Sequence, residues 1–153
     1  MTGTTARFAT TAVVAFTLLA CGEDTPLAPV VTEDVLVVTQ PESFQVFFAS
    51  EYRGEVLLDP AGCFRLALDP PNDATVVWPP GTTLWARGDQ LELQDARGRQ
   101  IVAIGGQHRF LGGFVAGLGE VADLDDTELA ETMMRCPGTY WLLRAGTSRR
   151  ITG

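Results

Sequence analysis

The sequence predicts a mainly β protein, a small antiparallel barrel or sandwich in which an OB-like barrel is favoured, with one short helix before the last strand. Short runs rich in β-branched and aromatic residues recur at close, regular spacing from residue 53 onward. Glycine, proline and aspartate separate these runs, and a single segment carries the signals of a helix. Many short strands with frequent turn residues are typical of small barrels and sandwiches.

The strands follow from the alternation of apolar and polar residues between these turns. Leu91 and Leu93 alternate with glutamine and glutamate, which is typical of a half-buried strand. The segment 43–50 fits both a strand and a helical stripe, and a strand is favoured. The strands are predicted at 54–58, 63–68, 75–78, 83–87, 90–94, 99–104, 107–111 and 139–143, with glycines breaking up an apolar piece at 114–118.

The turns between the strands and the single helix have specific signals. Asp95-Ala96-Arg97-Gly98 favours a hairpin, because Asp opens turns and Gly adopts positive φ. Asp125 and Glu128 match a helix capping box, and acidic residues gather where the helix dipole favours them. Pro137-Gly138 ends this helix just after Cys136.

The N-terminus has the features of a secretory signal. Residues 1–7 carry one positive charge and no acid, and the run 8–19 is almost wholly apolar but shorter than the ~20 residues of a spanning helix. Leu18-Leu19-Ala20-Cys21 resembles the lipobox of bacterial lipoprotein precursors. The resemblance implies that the signal is cut before Cys21, which carries a diacylglyceryl group. The alternative is an ordinary secretory signal with a chance cysteine at the cut.

This resemblance sets the predicted organisation. Residues 1–20 are the signal peptide, 21–42 the lipidated cysteine and a tether, 43–145 the β domain and 146–153 a flexible tail. The start of the tether has prolines and acids but no apolar period, while 35–38 is a β-prone run that fits a first strand or an ordered part of the tether. The expected location is the bacterial cell envelope, facing away from the cytoplasm. In a Gram-negative cell Gly22 slightly favours the outer membrane.

The net charge restricts the class of partner, and the number of cysteines restricts the possible disulfide. The chain has 11 arginines, no lysine and 19 acidic residues, and loss of the signal with Arg7 leaves a net charge of −9. Phosphate backbones repel such a chain, so nucleic acid is excluded and a cationic envelope protein fits better. With Cys21 assigned to lipid, Cys63 and Cys136 remain as one pair in an oxidising compartment, where a disulfide is expected.

The sequence contains no catalytic motif, and neither a metal nor a cofactor is expected. His108 is the only histidine, and no serine of the mature chain lies in a G-x-S-x-G elbow. The acids between Glu120 and Glu131 offer oxygen ligands for calcium but lack the order of a calcium loop. A solvated helix start is the favoured interpretation of these acids, and the chain is expected not to be an enzyme.

The aromatic residues Trp78, Trp85, Tyr140 and Trp141 are the remaining candidates for a contact patch. They lie on or beside predicted strands, where most are expected to fill the core. Neighbours on a strand point to opposite faces, so one of Tyr140 and Trp141 is expected to be exposed.

Together these observations predict an envelope-anchored, non-enzymatic binding or assembly module that its N-terminal lipid holds at the membrane. The alternative is an inhibitor of a cationic envelope enzyme such as a lysozyme. Small acidic lipoproteins of that kind are similar to this chain in size, charge and cysteine use, although no inhibitory loop can be matched residue by residue. An enzyme that uses scattered carboxylates is a third, disfavoured hypothesis.

Overall fold

The computed structural model describes residues 28–29, 34–44, 49–68 and 73–151. Residues 45–48 of the ambiguous segment 43–50 and all of the proposed lipobox lie outside these residues. Along the described chain the elements are β1 (Ala28–Pro29), β2 (Ser50–Leu58), β3 (Phe64–Leu66), β4 (Ala74–Val77), β5 (Thr83–Arg87), β6 (Gln90–Gln94), β7 (Gln100–Ala103), β8 (Gln107–Val115), α1 (Asp126–Arg135), β9 (Thr139–Leu143) and β10 (Arg149–Arg150).

Five strands close into a barrel. Strand β2 pairs with β3 and β8, β3 pairs with β4, and β9 pairs with both β4 and β8. The predicted mainly β, OB-like barrel, with one short helix before its last strand, is confirmed. Within this barrel the β4–β9 pair is parallel, whereas the sequence predicts antiparallel strands throughout. The two strands are far apart in the chain, so no hairpin turn constrains their direction.

The second sheet has the strand order β1-β5-β6-β7, and its strands β5 to β7 lie between β4 and β8 in the chain. Its three longer strands form an antiparallel meander. One face of the meander contributes Leu84, Leu93 and Val102 to the same hydrophobic cluster as the barrel interior. The opposite face carries the polar residues that alternate with these leucines, as the pleat requires.

Side chains fill the interior of the barrel. Tyr52 lies with its ring centroid 5.1 Å from that of Phe110 and 6.3 Å from that of Trp141. Phe64 meets Trp78 edge-on at 5.7 Å. These aromatic contacts, together with the buried aliphatic residues around them, make a packed core. A ligand therefore has to bind on the outside of the barrel.

Strand β8 continues through the glycines that the sequence analysis treats as a break. Residues Gly112 and Gly113 pair with Leu143 and Leu142 of β9. A Cβ atom on Gly112 would collide with the Leu142 carbonyl oxygen and the Trp141 indole nitrogen. The glycines thus allow close approach of β9 and do not end the strand.

Residues 34–40, which we call the strap, pack against the barrel. The strap forms parallel bridges from Leu36 to Cys63 and from Thr39 to Trp78. Gln40 is only 2 % exposed, and its side-chain amide donates to the carbonyl oxygens of Val77 and Leu143 at 3.0 and 2.8 Å. The predicted tether boundary at residue 42 is therefore corrected, because these residues satisfy buried hydrogen bonds and belong to the folded body.

The C-terminal end is also more ordered than the prediction of a flexible tail from residue 146. Strand β10 pairs with β8, with Arg149 opposite Arg109 and Arg150 opposite His108. The Ile151 amide donates to the Gln107 carbonyl oxygen at 2.9 Å. The unpaired edge of β8 explains this order, since it offers backbone groups to the returning chain.

Helix α1 covers the outside of the barrel beside the strap. Asp125 caps the helix by accepting from the Thr127 and Glu128 amides, and the Glu128 carboxylate accepts from the Asp125 amide, so the predicted capping box is present. No helix of the described residues is long and apolar enough to cross a membrane.

Candidate functional site

Two adjoining clefts lie on the outside of the barrel, with volumes of about 550 and 260 Å³. They share Gly146 in the loop after β9, and we call the combined feature the arginine groove. The larger cleft is lined by Pro79, Pro80, Asp95, Ala96, Arg97, Arg99, Gln100, Ile101, Leu143, Ala145, Gly146 and Ser148. The smaller one is lined by Arg109, Phe110, Leu111, Gly146, Thr147 and Arg149.

The β6–β7 turn builds one wall of the groove around Asp95. One Asp95 carboxylate oxygen accepts from the Arg97 and Arg99 amides, both at 2.9 Å. The other accepts from the Arg99 guanidinium Nε at 2.8 Å. The Arg99 amide, its guanidinium and the Arg97 amide hold the pKa of Asp95 below its usual value. The turn is therefore fixed, and it leaves the Arg97 side chain exposed at the groove.

The loop from Arg144 to Ser148 builds the opposite wall. The Thr147 hydroxyl donates to the Arg144 carbonyl oxygen at 2.6 Å and accepts from the Leu111 amide at 3.1 Å. The Ser148 hydroxyl donates to the Ile101 carbonyl oxygen, which joins the loop to β7. These bonds connect the barrel to the meander at the place where the two clefts meet.

The charge of the groove is opposite to that of the whole chain. Of the described residues that line it, four are arginines and only Asp95 is acidic, while the chain as a whole carries a net charge of −8. Arg99 is paired with Asp95 at 2.7 Å, and Arg109 with Glu51 of β2 at 2.6 Å. Among the described residues, no acidic side chain lies within ion-pair distance of Arg97 or Arg149. Two cationic groups in the groove are thus free for a ligand.

The other face of the meander is also polar, although its Glu92 and Gln94 side chains are buried. The Glu92 carboxylate accepts from the Gln94 amide at 2.7 Å and from the Gln100 amide at 2.9 Å. Trp85, opposite Glu92 on the neighbouring strand, donates through Nε1 to the Thr83 hydroxyl at 2.8 Å. These residues satisfy one another, so the surface has fewer free polar groups than the arginine groove.

The predicted disulfide is present between Cys63 and Cys136, whose Cα atoms are 5.9 Å apart. Cys63 precedes β3, and Cys136 is the C-cap residue of α1. The bridge therefore fixes the end of the helix to the barrel wall. Cys21, the predicted lipidation site, lies outside the described residues.

The structure corrects the predicted aromatic contact patch. Trp78, Tyr140 and Trp141 are 0, 1 and 2 % exposed, so none of them can contact a partner. Trp141 points into the barrel, whereas Tyr140 points outward as alternation requires. The prediction fails because the strap and α1 cover the outer face, where Tyr140 packs with Val38 and Leu118. Only Trp85 of the four residues keeps partial exposure.

The other candidates for chemistry are structural in this fold. His108 is 1 % exposed, and its Nε2 lies 3.1 Å from both the amide nitrogen and the carbonyl oxygen of Ala103. Burial lowers the pKa of His108. No cluster of metal-ligating side chains is formed within the described ranges, which include the carboxylates of Asp123 to Glu131.

The arginines of the groove are not among the sites predicted from the sequence. The turn at 95–98 is predicted without a role for Arg97, and residues 146–153 are predicted as a flexible tail. The one feature of the sequence that points to an anion-binding groove is that every Lys or Arg position is an arginine, since arginine is preferred in anion recognition. The convergence of the two segments depends on barrel closure.

In comparisons with known proteins, no family model, curated protein or solved structure matches this chain.

Proposed function

We propose that the chain is an envelope lipoprotein that presents its OB-like barrel as a non-enzymatic binding module, with the arginine groove as the binding site. The observation that carries this proposal is the groove itself. Hydrogen-bonded turns form its walls, and its larger cleft, of about 550 Å³, is within the range of known ligand sites. It lies on a body whose interior is filled, so the surface is the place for recognition.

The chain geometry supports anchoring through Cys21. Strand β1 pairs with β5 at Ala28 and Pro29, seven residues after the cysteine. Seven fully extended residues span at most about 25 Å. A lipid on Cys21 would therefore hold the β1 edge of the meander close to the bilayer. The Cys63–Cys136 disulfide is in keeping with a compartment outside the cytosol.

Membrane fractionation of a bacterial host that expresses the full chain tests the anchor. The wild-type chain and Cys63→Ser should both sediment with membranes, and Cys21→Ala should appear in the soluble fraction. Cys63→Ser is the matched control, because it removes a cysteine of the fold and keeps the lipobox. Mass spectrometry should find a diacylglyceryl group on Cys21 of the processed chain. Cys21→Ala in the membrane pellet would contradict anchoring.

Photo-cross-linking tests the binding site. A photoreactive residue at Ala96, on the groove wall, should form an adduct with an envelope component. The same residue at Ala130, on the exposed side of α1, should not. Equal adducts from both positions, or none from Ala96, would argue against the groove as the binding site.

The exposed side of α1 supports inhibition of a cationic envelope enzyme as a second candidate function. Glu128, Glu131 and Met134 follow one another at three-residue spacing, and Met134 is 76 % exposed. Carboxylates beside an exposed apolar group are complementary to a basic surface with an apolar spot. In this case the protein should inhibit a lysozyme at low salt, and Glu131→Gln combined with Met134→Ser should weaken the inhibition. Unchanged lysozyme activity at equimolar protein would exclude this function.

A further inference from the structure

We propose that the arginine groove binds a ligand that carries two phosphate groups separated by a neutral segment. This inference rests on the proposed function, because it assigns a ligand class to the same groove. Arg97 and Arg149, which have no acidic partner among the described residues, line different clefts of the groove. Each of them provides a cationic group for one phosphate.

Each free arginine has a second arginine nearby whose side chain is held in place by a carboxylate. Asp95 fixes Arg99 beside Arg97, and Glu51 fixes Arg109 opposite Arg149 across the β8–β10 pair. Each cleft thus contains one free guanidinium and one oriented guanidinium. The planar guanidinium donates in a fork that matches phosphate oxygens and is less strongly hydrated than an ammonium group. The absence of lysine from the chain agrees with this type of recognition.

Apart from the four arginines and Asp95, the described residues that line the groove are neutral. Ile101 and Ala145 line the larger cleft, Leu111 lines the smaller one, and Gly146 joins them, while the side chains of Leu143 and Phe110 are buried beneath this surface. A carbohydrate or glycerol segment fits such a surface better than a third charge does. The limited number of free cations also argues against a polyanion. An extended phosphate backbone would meet the acidic remainder of the chain, whose net charge is −8.

Calorimetric titration of the full lipidated chain in phosphatidylcholine nanodiscs tests the inference. Fructose 1,6-bisphosphate should bind, and glucose 6-phosphate should bind at least tenfold more weakly. Arg97→Gln and Arg149→Gln should each reduce the affinity for the bisphosphate about tenfold, as expected for loss of a charge-assisted hydrogen bond. Arg87→Gln on β5 is the matched control, because Arg87 is exposed, carries the same charge and lies outside the groove.

Several results would overturn the inference. The inference is wrong if the bisphosphate does not bind, or if the monophosphate binds with the same affinity as the bisphosphate. It is also wrong if Arg87→Gln loses as much affinity for the bisphosphate as the groove variants do. Arg97 and Arg149 have exposed side chains, so the melting temperature of each variant should remain that of the wild type. Arg97→Lys should recover part of the affinity, because lysine restores the charge without the fork.

A second arm distinguishes a free bisphosphate from a lipid headgroup. Cardiolipin has two phosphates joined by glycerol, and its addition to the nanodiscs should suppress fructose 1,6-bisphosphate binding if the groove reaches lipid headgroups. Phosphatidylglycerol at equal charge is the control lipid. Suppression by cardiolipin alone would support a headgroup as the source, and no suppression would support a free bisphosphate. A failure of the proposed anchor is seen separately, because an unlipidated chain would not enter the nanodiscs.

Discussion

His108 shows how a single buried residue sets a pH dependence. It is the only histidine of the chain and lies on β8 with 1 % exposure, where burial lowers its pKa. In the unfolded chain its pKa is about 6.5. Between the two pKa values the unfolded state binds more protons, so the free energy of unfolding rises with pH across this window. Acidification should therefore destabilise the fold.

We expect His108→Gln to reduce this dependence. The glutamine amide can replace Nε2 beside Ala103 and does not titrate. The free energy of unfolding should be measured by denaturant titration from about pH 8 to about pH 5.5, above the range in which ordinary carboxylates titrate. The acidic groups are common to both chains, so the difference between the two curves isolates His108. Parallel curves would show that His108 titrates alike in the folded and unfolded chains.

Residue-level prediction was successful where local rules decide the outcome. The sequence predicts opposite orientations for Tyr140 and Trp141, and the structure has them. It does not predict that the outward face of β9 is buried. That burial comes from Val38 and Leu118, which are distant in the chain and reach Tyr140 through the strap and the segment before α1. Alternation assigns a face, but the tertiary fold decides what covers that face.

At the scale of elements, α1 depends on its N-cap. The Asp125 carboxylate accepts from the Thr127 and Glu128 amides, both at 2.9 Å. Asp125→Ala removes the carboxylate oxygen that accepts both bonds and should lower the free energy of unfolding by about 1 kcal/mol. Glu131→Ala is the charge-matched control in the middle of the helix and should have little effect. Urea denaturation followed by circular dichroism measures both variants, and equal effects would contradict a capping role.

The strap provides a test of whether residues 34–40 belong to the cooperative fold. Gln40→Met keeps the length of the side chain but leaves the Val77 and Leu143 carbonyl oxygens without their amide donor. We expect a loss of about 2 kcal/mol in the free energy of unfolding, because two buried acceptors lose a partner. Glu42→Gln, on an exposed residue just after the strap, is the control. A change below about 0.5 kcal/mol in Gln40→Met would place the strap outside the cooperative unit.

For the whole molecule, the sequence predicts the class of fold better than it predicts which strands pair to close the barrel. Turn residues and alternation locate most strands to within a few residues, since these signals are local. The parallel pairing of β4 with β9 and the return of β10 to β8 join distant segments. No local pattern specifies such pairs. The arginine groove depends on these same pairings, so the sequence alone could not place Arg97 and Arg149 in one feature.

The disulfide stabilises the molecule as a whole, because it constrains the unfolded chain. Cys63 and Cys136 are 73 residues apart, and a loop of this length corresponds to about 4 kcal/mol in the chain-entropy model. The double variant Cys63→Ser/Cys136→Ser should therefore melt about 15 °C below the wild type under non-reducing conditions. Calorimetry in detergent measures this difference. The wild type with reductant should approach the double variant, and Cys21→Ala should melt like the wild type because its cysteine is not part of the bridge. An unchanged melting temperature in the double variant would show that packing alone holds α1 on the barrel.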